Sequence, residues 1–146
     1  MSTLVPIGSD HAGFKMKQLI IGWLQEAGFQ VSDEGCYSEE RADYPDYAHA
    51  VANKITSKIA TKGILLCGSG NGIAMTANKH NGIRAAICWT KELAELARLH
   101  NDANILVLPA RFISDDEAIE CVKVFMNTAF EGGRHTQRVE KIDFSC

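Results

Sequence analysis

The sequence lacks the features that mark membrane-spanning, secreted and nucleic-acid-binding proteins. No run of about 18 apolar residues occurs, and residues 1–7 have neither the charged start nor the cleavage site of a secretory signal. Lys and Arg number 15 against 18 Asp and Glu, which leaves a net charge of −3 and no broad positive field for DNA or RNA. We therefore expect a cytoplasmic protein with no membrane or nucleic-acid partner.

Cysteine is too irregularly spaced for a disulfide framework or a zinc site. The five cysteines are an odd number and include no C-x-x-C pair. Disorder is excluded by composition, because 46% of the residues are apolar and 23% are charged. A chain of 146 residues buries enough surface to fold without metal or disulfide, so we expect a single domain over residues 1–146.

Short apolar runs alternate with helix-length amphipathic segments, which indicates βα units around a parallel sheet. Strands are predicted at residues 4–7, 29–31, 63–67, 84–88 and 104–108, and helices at about 13–27, 46–58, 72–79, 90–100 and 114–129. All strands but the second are mostly apolar on both faces, so the second is predicted at an edge. We expect an α/β fold, a three-layer αβα sandwich with a doubly wound, five-stranded parallel sheet of Rossmann-like, flavodoxin-type order 2-1-3-4-5.

Residues at the element ends fit this assignment. Gly28 is predicted to stop the first helix, and Thr90 and Ser114 to cap the fourth and fifth. The tail over residues 131–146 is polar and rich in basic residues. It has no evident place within one subunit, so we expect it to pack on a neighbouring subunit.

The loop after the third strand lies where ligands of doubly wound sheets bind, outside the carboxyl ends of strands 1 and 3. It is glycine-rich and runs directly into a helix, so that several backbone N–H groups are predicted to converge on an anion. Its residues are Cys67, Gly68, Ser69, Gly70, Asn71 and Gly72. Neither a dinucleotide fingerprint nor a P-loop matches, because Ile73 stands where the former needs glycine and the latter's Lys is absent. A tight turn without a ligand is the alternative.

Cys67 closes the third strand and faces this loop. Backbone N–H dipoles there favour the thiolate, so Cys67 is a candidate base or nucleophile. The alternative is a small buried hydrophobe, which is the interpretation of the other four cysteines. A phosphatase nucleophile is excluded, because the C-x5-R pattern would need arginine at Ile73, and a response regulator would carry Asp at this strand end.

The loop after the first strand places Asp10 and His11 across the same point of the sheet from Cys67. Asp10 is a candidate for gripping a sugar hydroxyl, although a helix-capping role is equally consistent with its position. Tyr44, in the loop after the second strand, and Arg111, in the loop after the fifth, are expected at the same edge.

His100 ends the fourth helix on the same stripe as Leu93, Leu96 and Ala97, which is typical of a core histidine. Helices of this fold end at the edge opposite to the strand carboxyl ends. His100 is therefore predicted not to reach Cys67 of its own subunit, and any catalytic role would serve a neighbouring one.

An ordered set of motifs spans nearly the whole chain and resembles the type B ribose-5-phosphate isomerases, a family that also includes galactose-6-phosphate and allose-6-phosphate isomerases. The motifs occupy residues 8–13, 43–45, 67–72, 77–79, 100–102 and 131–139. The resemblance implies an aldose-ketose interconversion of D-ribose 5-phosphate and D-ribulose 5-phosphate through a cis-enediolate, without metal or nucleotide cofactor. This reaction belongs to the non-oxidative branch of the pentose phosphate pathway.

The resemblance also implies residue roles. Cys67 moves the proton between C1 and C2, and no acidic residue lies between Gly68 and Asn78 to replace it. His100 opens the furanose ring, and Asp10 and Asn101 hold hydroxyls. The phosphate is clamped by Arg134, Arg138, Arg111 and His11, for which guanidinium forks are well suited.

The implied enzyme is a homodimer or dimer of dimers with shared active sites and a phosphorylated sugar as substrate. Two alternatives remain: an isomerase of a six-carbon sugar phosphate, and a non-catalytic sugar-phosphate sensor that uses the loop and arginines but not Cys67.

Overall fold

Five parallel strands form one sheet in the computed structural model, which describes residues 3–143. The strands are β1 (Leu4–Ser9), β2 (Gln30–Asp33), β3 (Gly63–Cys67), β4 (Ala85–Ile87) and β5 (Ile105–Pro109). The helices are α1 (Phe14–Glu26), α2 (Tyr44–Thr56), α3 (Asn71–Ala77), α4 (Lys91–Asn101), α5 (Asp115–Asn127) and α6 (Arg134–Glu140), and a 3-10 turn spans His11–Gly13. Within the described residues no helix has the length and apolar character needed to cross a membrane.

The sheet is buried between two helical layers, which confirms the three-layer α/β prediction. Ile64 and Leu66 of β3 pack with α1, α4 and α5 on one face. Leu65 and Cys67 pack with α2 and α3 on the other. This alternation follows from the period of two in a strand, and it turns the side chain of Cys67 toward the α2–α3 layer.

The order of the last two strands differs from the prediction, because the sheet runs β2-β1-β3-β5-β4. β5 lies beside β3 in register from Gly63 opposite Ile105 to Cys67 opposite Pro109. The residues of β5 are all buried, whereas β4 is a short strand whose three residues are only half-buried. A central strand needs bulky apolar side chains on both faces, and β5 supplies them while the Ala85-Ala86 pair of β4 suits an edge.

The helix boundaries that were predicted from capping residues are confirmed. Thr90 Oγ1 accepts the N–H of Leu93, and Ser114 forms a capping box with Glu117. Gly28 ends α1 with φ of +94°. The helix predicted from residue 46 begins earlier, at Tyr44, so Tyr44 lies in the first turn of α2 and not in a loop.

The tail that had no predicted place within one subunit contains α6, which contacts α4 of the same chain. The amide of Glu131 donates to the carbonyl of Leu99 at 3.1 Å, and the ring of His135 stacks on that of His100. Most other side chains of α6 are exposed. A further contact with a neighbouring subunit stays a prediction.

Candidate active site

The loops after β1 and β3 meet at the carboxyl edge of the sheet. The amide of Asp10 donates to the carbonyl of Leu66 at 3.2 Å. Gly13 makes the approach possible, because a Cβ there would lie 2.7 Å from Cβ of Leu66. Asp10 is thereby held beside Cys67, as the sequence predicted.

Cys67 is buried and its sulfur has a backbone donor. The amide of Gly70 donates to Sγ at 3.2 Å, in a turn that needs the φ of +80° found at Gly70. A donor aimed at the sulfur stabilises negative charge there. This geometry suits a base more than an inert core thiol.

Two further thiols show the contrast. Burial raises the pKa of Cys88 to about 12, with Cys121 adding to the rise. Burial likewise raises the pKa of Cys121 to about 11, assisted by nearby acidic residues that include Glu117. Both stay protonated near neutral pH, in agreement with their interpretation as core residues.

The amides of the 67–72 loop do not all converge on one point, as the sequence suggested they would. The amide of Gly70 is taken by Cys67 Sγ, and that of Asn71 donates to Ser69 Oγ at 3.2 Å. Among the described residues, the amides of Gly68, Ser69 and Gly72 have no hydrogen-bond acceptor. These three are the donors left for a ligand, because the amides of Gly70 and Asn71 are used to hold the sulfur and the turn.

Tyr44 and Arg111 close around the same loop, each against a glycine. A Cβ on Gly72 would lie 2.5 Å from Cζ of Tyr44, and one on Gly68 would lie 3.2 Å from a terminal nitrogen of Arg111. Arg111 is also tied to the loop through its amide, which donates to the carbonyl of Gly68 at 3.0 Å. The structure therefore brings both predicted side chains to the loop that follows Cys67.

Asp10 caps the 3-10 turn and keeps one oxygen for other partners. Oδ1 accepts the amides of Ala12 at 3.0 Å and Gly13 at 3.3 Å. The capping role and the predicted hydroxyl-binding role are thus compatible, since a carboxylate has two oxygens. His11 Nδ1 accepts the amide of Ala42 at 3.2 Å. That bond places the proton of the neutral ring on Nε2, which can donate to an anion.

A cleft of about 410 Å³ opens beside this loop, lined by Ser69, Asn71, Ile87, Trp89, Pro109 and Phe112. Trp89 is 53% exposed and Phe112 is 75% exposed. Large apolar side chains exposed around a polar site are typical of a surface that a ligand or another subunit covers.

The remaining predicted residues form a second group at the opposite edge of the sheet. His100 and Asn101 end α4, while Arg134 and Arg138 lie on α6 beside them. His100 is not the core histidine that its stripe suggested, because its side chain is 38% exposed. Asn101 lines a separate cleft of about 400 Å³ at this edge.

The distance between the two groups follows from the strand that separates them. The carbonyl of Asn104, just after α4, accepts the amide of Gly63 at the start of β3. Cys67 lies four residues further along that strand, or about 13 Å at about 3.3 Å per residue. One chain therefore presents two half-sites: Cys67 with Asp10 and Tyr44, and His100 with its neighbours.

Sequence reasoning missed Glu131 and His135, which the structure joins to His100. Oε2 of Glu131 lies 3.6 Å from Nε2 of His100 and 3.7 Å from Nε2 of His135. Ligand-type atoms of these three residues lie within 4.8 Å of one another, an arrangement that the spacing in the sequence did not predict. Desolvation lowers the pKa of His135, and the charges of His100 and Arg134 lower it further. The Glu-x3-His pair at residues 131 and 135 was the available signal.

Comparisons with known proteins identify relatives of this chain. A family model described as Ribose/Galactose Isomerase matches residues 5–142. The ribose-5-phosphate isomerase B of Escherichia coli is 44% identical over 138 residues, which cover 94% of this chain and 93% of that one.

Two crystal structures share the fold over almost their full length. A ribose 5-phosphate isomerase from Thermotoga maritima superimposes with a TM-score of 0.95 at 49% identity, covering 98% of this chain and 99% of the other. A Mycoplasma genitalium ribose-5-phosphate isomerase B with bound ribulose-5-phosphate gives a TM-score of 0.92 at 43% identity, with 97% and 95% covered.

Proposed function

Since this chain belongs to the ribose/galactose isomerase family, we propose that it interconverts D-ribose 5-phosphate and D-ribulose 5-phosphate through a cis-enediolate. The observation that carries the proposal is the buried thiol of Cys67 beside backbone donors at the carboxyl edge of the sheet. The similarity to the Mycoplasma genitalium enzyme with bound ribulose-5-phosphate supports the pentose assignment. We also propose that the enzyme is cytoplasmic, as expected from the sequence.

Cys67 is the base of the proposed reaction. Its thiolate removes the C2 proton of the open-chain aldose, and the electron pair moves into a C1–C2 double bond as negative charge develops on oxygen. The amides of Gly68 and Ser69 stabilise that charge. A proton passes from the C2 hydroxyl to O1 of the enediolate, so that C2 becomes the carbonyl carbon as the same thiol returns its proton to C1. This gives the ketose with no net gain or loss of atoms.

The other residues of the first half-site bind the substrate. Asp10 keeps one carboxylate oxygen for sugar hydroxyls, and Tyr44 lies against the turn that starts α3. The guanidinium of Arg111, which packs on Gly68, supplies positive charge for the phosphate. Nε2–H of His11 supplies a hydrogen-bond donor for it.

Ring opening requires the second half-site from a neighbouring subunit. His100 carries a proton between the ring oxygen and the C1 hydroxyl, while Asn101 binds a hydroxyl and Arg134 and Arg138 hold the phosphate. The roughly 13 Å that separates the sheet edges keeps His100 from the sulfur of its own chain.

We infer that two chains pair about a twofold axis and build two shared sites. The exposed Trp89 and Phe112 support this arrangement, because they border the first half-site and give a partner subunit apolar surface to cover. A tetramer would repeat the same dimer contact.

The test is ketose formation from a panel of phosphorylated pentoses and hexoses, measured for the native protein and for Cys67→Ala. The pentose phosphate should be turned over best, and Cys67→Ala should lose several orders of magnitude in kcat with substrate affinity within about tenfold. Cys36→Ala is the matched control, because Cys36 is as buried as Cys67 but belongs to the loop after β2.

Near-native turnover by Cys67→Ala would reject the thiol base. Preference for a six-carbon sugar phosphate would identify the chain as the alternative isomerase, which acts on six-carbon sugar phosphates. Tight binding without turnover of any sugar would identify a sensor.

A further inference from the structure

His100, Glu131 and His135 form a compact cluster that the isomerase reaction does not require as a unit. One carboxylate oxygen of Glu131 lies near both imidazoles, with Oε2 at 3.6 and 3.7 Å from their Nε2 atoms. The backbone holds two members of the cluster in place. The amide of Glu131 donates to the carbonyl of Leu99, and His135 belongs to α6.

His135 adds an independent sign of a missing ligand. Its side chain is buried, with the residue only 5% exposed, and among the residues that the structure describes its Nε2 has no hydrogen-bond partner. This atom faces the carboxylate of Glu131 at a distance too long for a hydrogen bond. A buried nitrogen in this state gains free energy from any ligand that satisfies it.

Two of the three spacings in the cluster are close to those around a small transition-metal ion. Ligands about 2.1 Å from tetrahedral zinc lie about 3.4 Å apart, and the two nitrogen–oxygen distances are within a few tenths of that. The two rings are nearly parallel, at 14° with centroids 4.2 Å apart. One ring must rotate before the nitrogen lone pairs of both rings can point at one ion. The ring of His100 has more room to rotate, because its side chain is 38% exposed.

We propose that His100, Glu131 and His135 form a binding site for Zn²⁺ or a similar imidazole-preferring divalent ion, and that occupation of this site inhibits the enzyme. Two imidazoles and one carboxylate suit Zn²⁺, Co²⁺ or Ni²⁺, whereas Mg²⁺ and Ca²⁺ prefer oxygen ligands alone. Three protein ligands leave a fourth position open to water.

Inhibition follows because the ion occupies Nε2 of His100, so that the ring can no longer carry a proton for ring opening. The metal also adds positive charge beside Arg134 and Arg138, which limits its affinity but leaves the phosphate clamp in place. Metal binding is independent of the proposed isomerase function, whereas the inhibition rests on it.

Calorimetric titration of the metal-free protein with Zn²⁺ tests the binding, and isomerase assays over the same Zn²⁺ range test the inhibition. We expect one ion per chain, full recovery of activity with EDTA, and an inhibition constant equal to the calorimetric Kd. Mg²⁺ should neither bind there nor inhibit. Cys67→Ala should bind Zn²⁺ as the native protein does, because the site contains no thiol.

Glu131→Gln keeps the shape of an exposed side chain and should weaken Zn²⁺ binding by about tenfold or more, with His135→Gln giving a similar loss. His49→Gln is the matched control, because His49 and His80 form the other imidazole pair, 2.7 Å apart and without a carboxylate. The control should keep the native Kd and the native inhibition.

Native Zn²⁺ affinity in Glu131→Gln would overturn the site even if His135→Gln fails to fold. Loss of binding in His49→Gln would also overturn it, by moving the ion to the other pair. Binding without inhibition in an active isomerase would overturn the inhibitory role alone, and binding by a protein without isomerase activity would refute the proposed function while sustaining the metal site.

Discussion

Gly72→Ala is expected to damage catalysis while leaving the fold intact, because of how closely Tyr44 approaches the start of α3. The added Cβ would lie 2.5 Å from Cζ, 2.6 Å from Cε1 and 2.9 Å from the hydroxyl oxygen of Tyr44. Carbon atoms in contact lie about 3.5 to 4.0 Å apart, so the ring must move by about 1 Å or more. A displacement of that size in a substrate-binding group costs up to about a hundredfold in rate.

Stability should change little by comparison. Tyr44 is 40% exposed, so its ring can swing outward without leaving a large cavity. Replacing glycine by alanine inside a helix also stabilises by about 0.5 to 1 kcal/mol, which offsets part of the cost of moving the ring. We expect kcat/KM to fall about 10- to 100-fold with a free energy of unfolding within about 1 kcal/mol of native.

Steady-state kinetics and denaturant unfolding measure both quantities. Gly22→Ala is the control, because a Cβ at Gly22 in α1 meets nothing within 4 Å, and it should keep native kinetics. In Tyr44→Ala, the further change Gly72→Ala should cost almost nothing, since the clash is gone. Native kcat/KM in Gly72→Ala, or an equal loss in the Tyr44→Ala background, would refute the placement of Tyr44 in the site.

Three further predictions concern the phosphate clamp, acid stability and a helix cap. Arg134→Ala and Arg138→Ala should raise KM for the phosphorylated sugar more than they lower kcat, while slow turnover of the unphosphorylated sugar is unchanged; equal damage with both substrates would remove the clamp. Partial burial, followed by the charge of His49, lowers the pKa of His80. The unfolded state therefore binds more protons, and stability falls as pH drops below about 6.5. The Tm of His80→Gln should decline less than that of the native protein between pH 8 and 5.5, and parallel declines would contradict this. Ser114→Ala breaks the capping box of α5 and should lower the free energy of unfolding in urea by about 1 kcal/mol while kcat stays native. An unchanged urea midpoint would show that the cap does not stabilise the protein.

The class of fold could be predicted because hydrophobic periodicity reports it directly. β3 and β5 are apolar at every position, and this identifies buried parallel strands. Strand order could not be predicted from chain order, because it depends on which of two late strands can fill the position beside β3. The small residues of β4 and the bulky ones of β5 contain that information, but only once the two are compared as competitors for one place.

The first half-site could be predicted because its residues follow strand ends that meet at one edge. Cys67 and Asp10 are examples, and their loops are joined by a backbone hydrogen bond. The cluster of His100, Glu131 and His135 could not, because its geometry depends on α6 folding back onto α4. No hydrophobic pattern predicts that contact, since most of α6 is polar and exposed.

Subunit complementation tests the shared site most directly. Cys67→Ala and His100→Ala chains, each nearly inactive alone, are mixed in equal amounts, and activity is followed against time while mass-tagged chains report exchange. If each site combines Cys67 of one chain with His100 of another, half of the dimers become hybrids with one intact site of two, and about a quarter of native activity returns. Complete exchange without recovery would contradict the account, because it would mean that no site joins Cys67 of one subunit to His100 of the next.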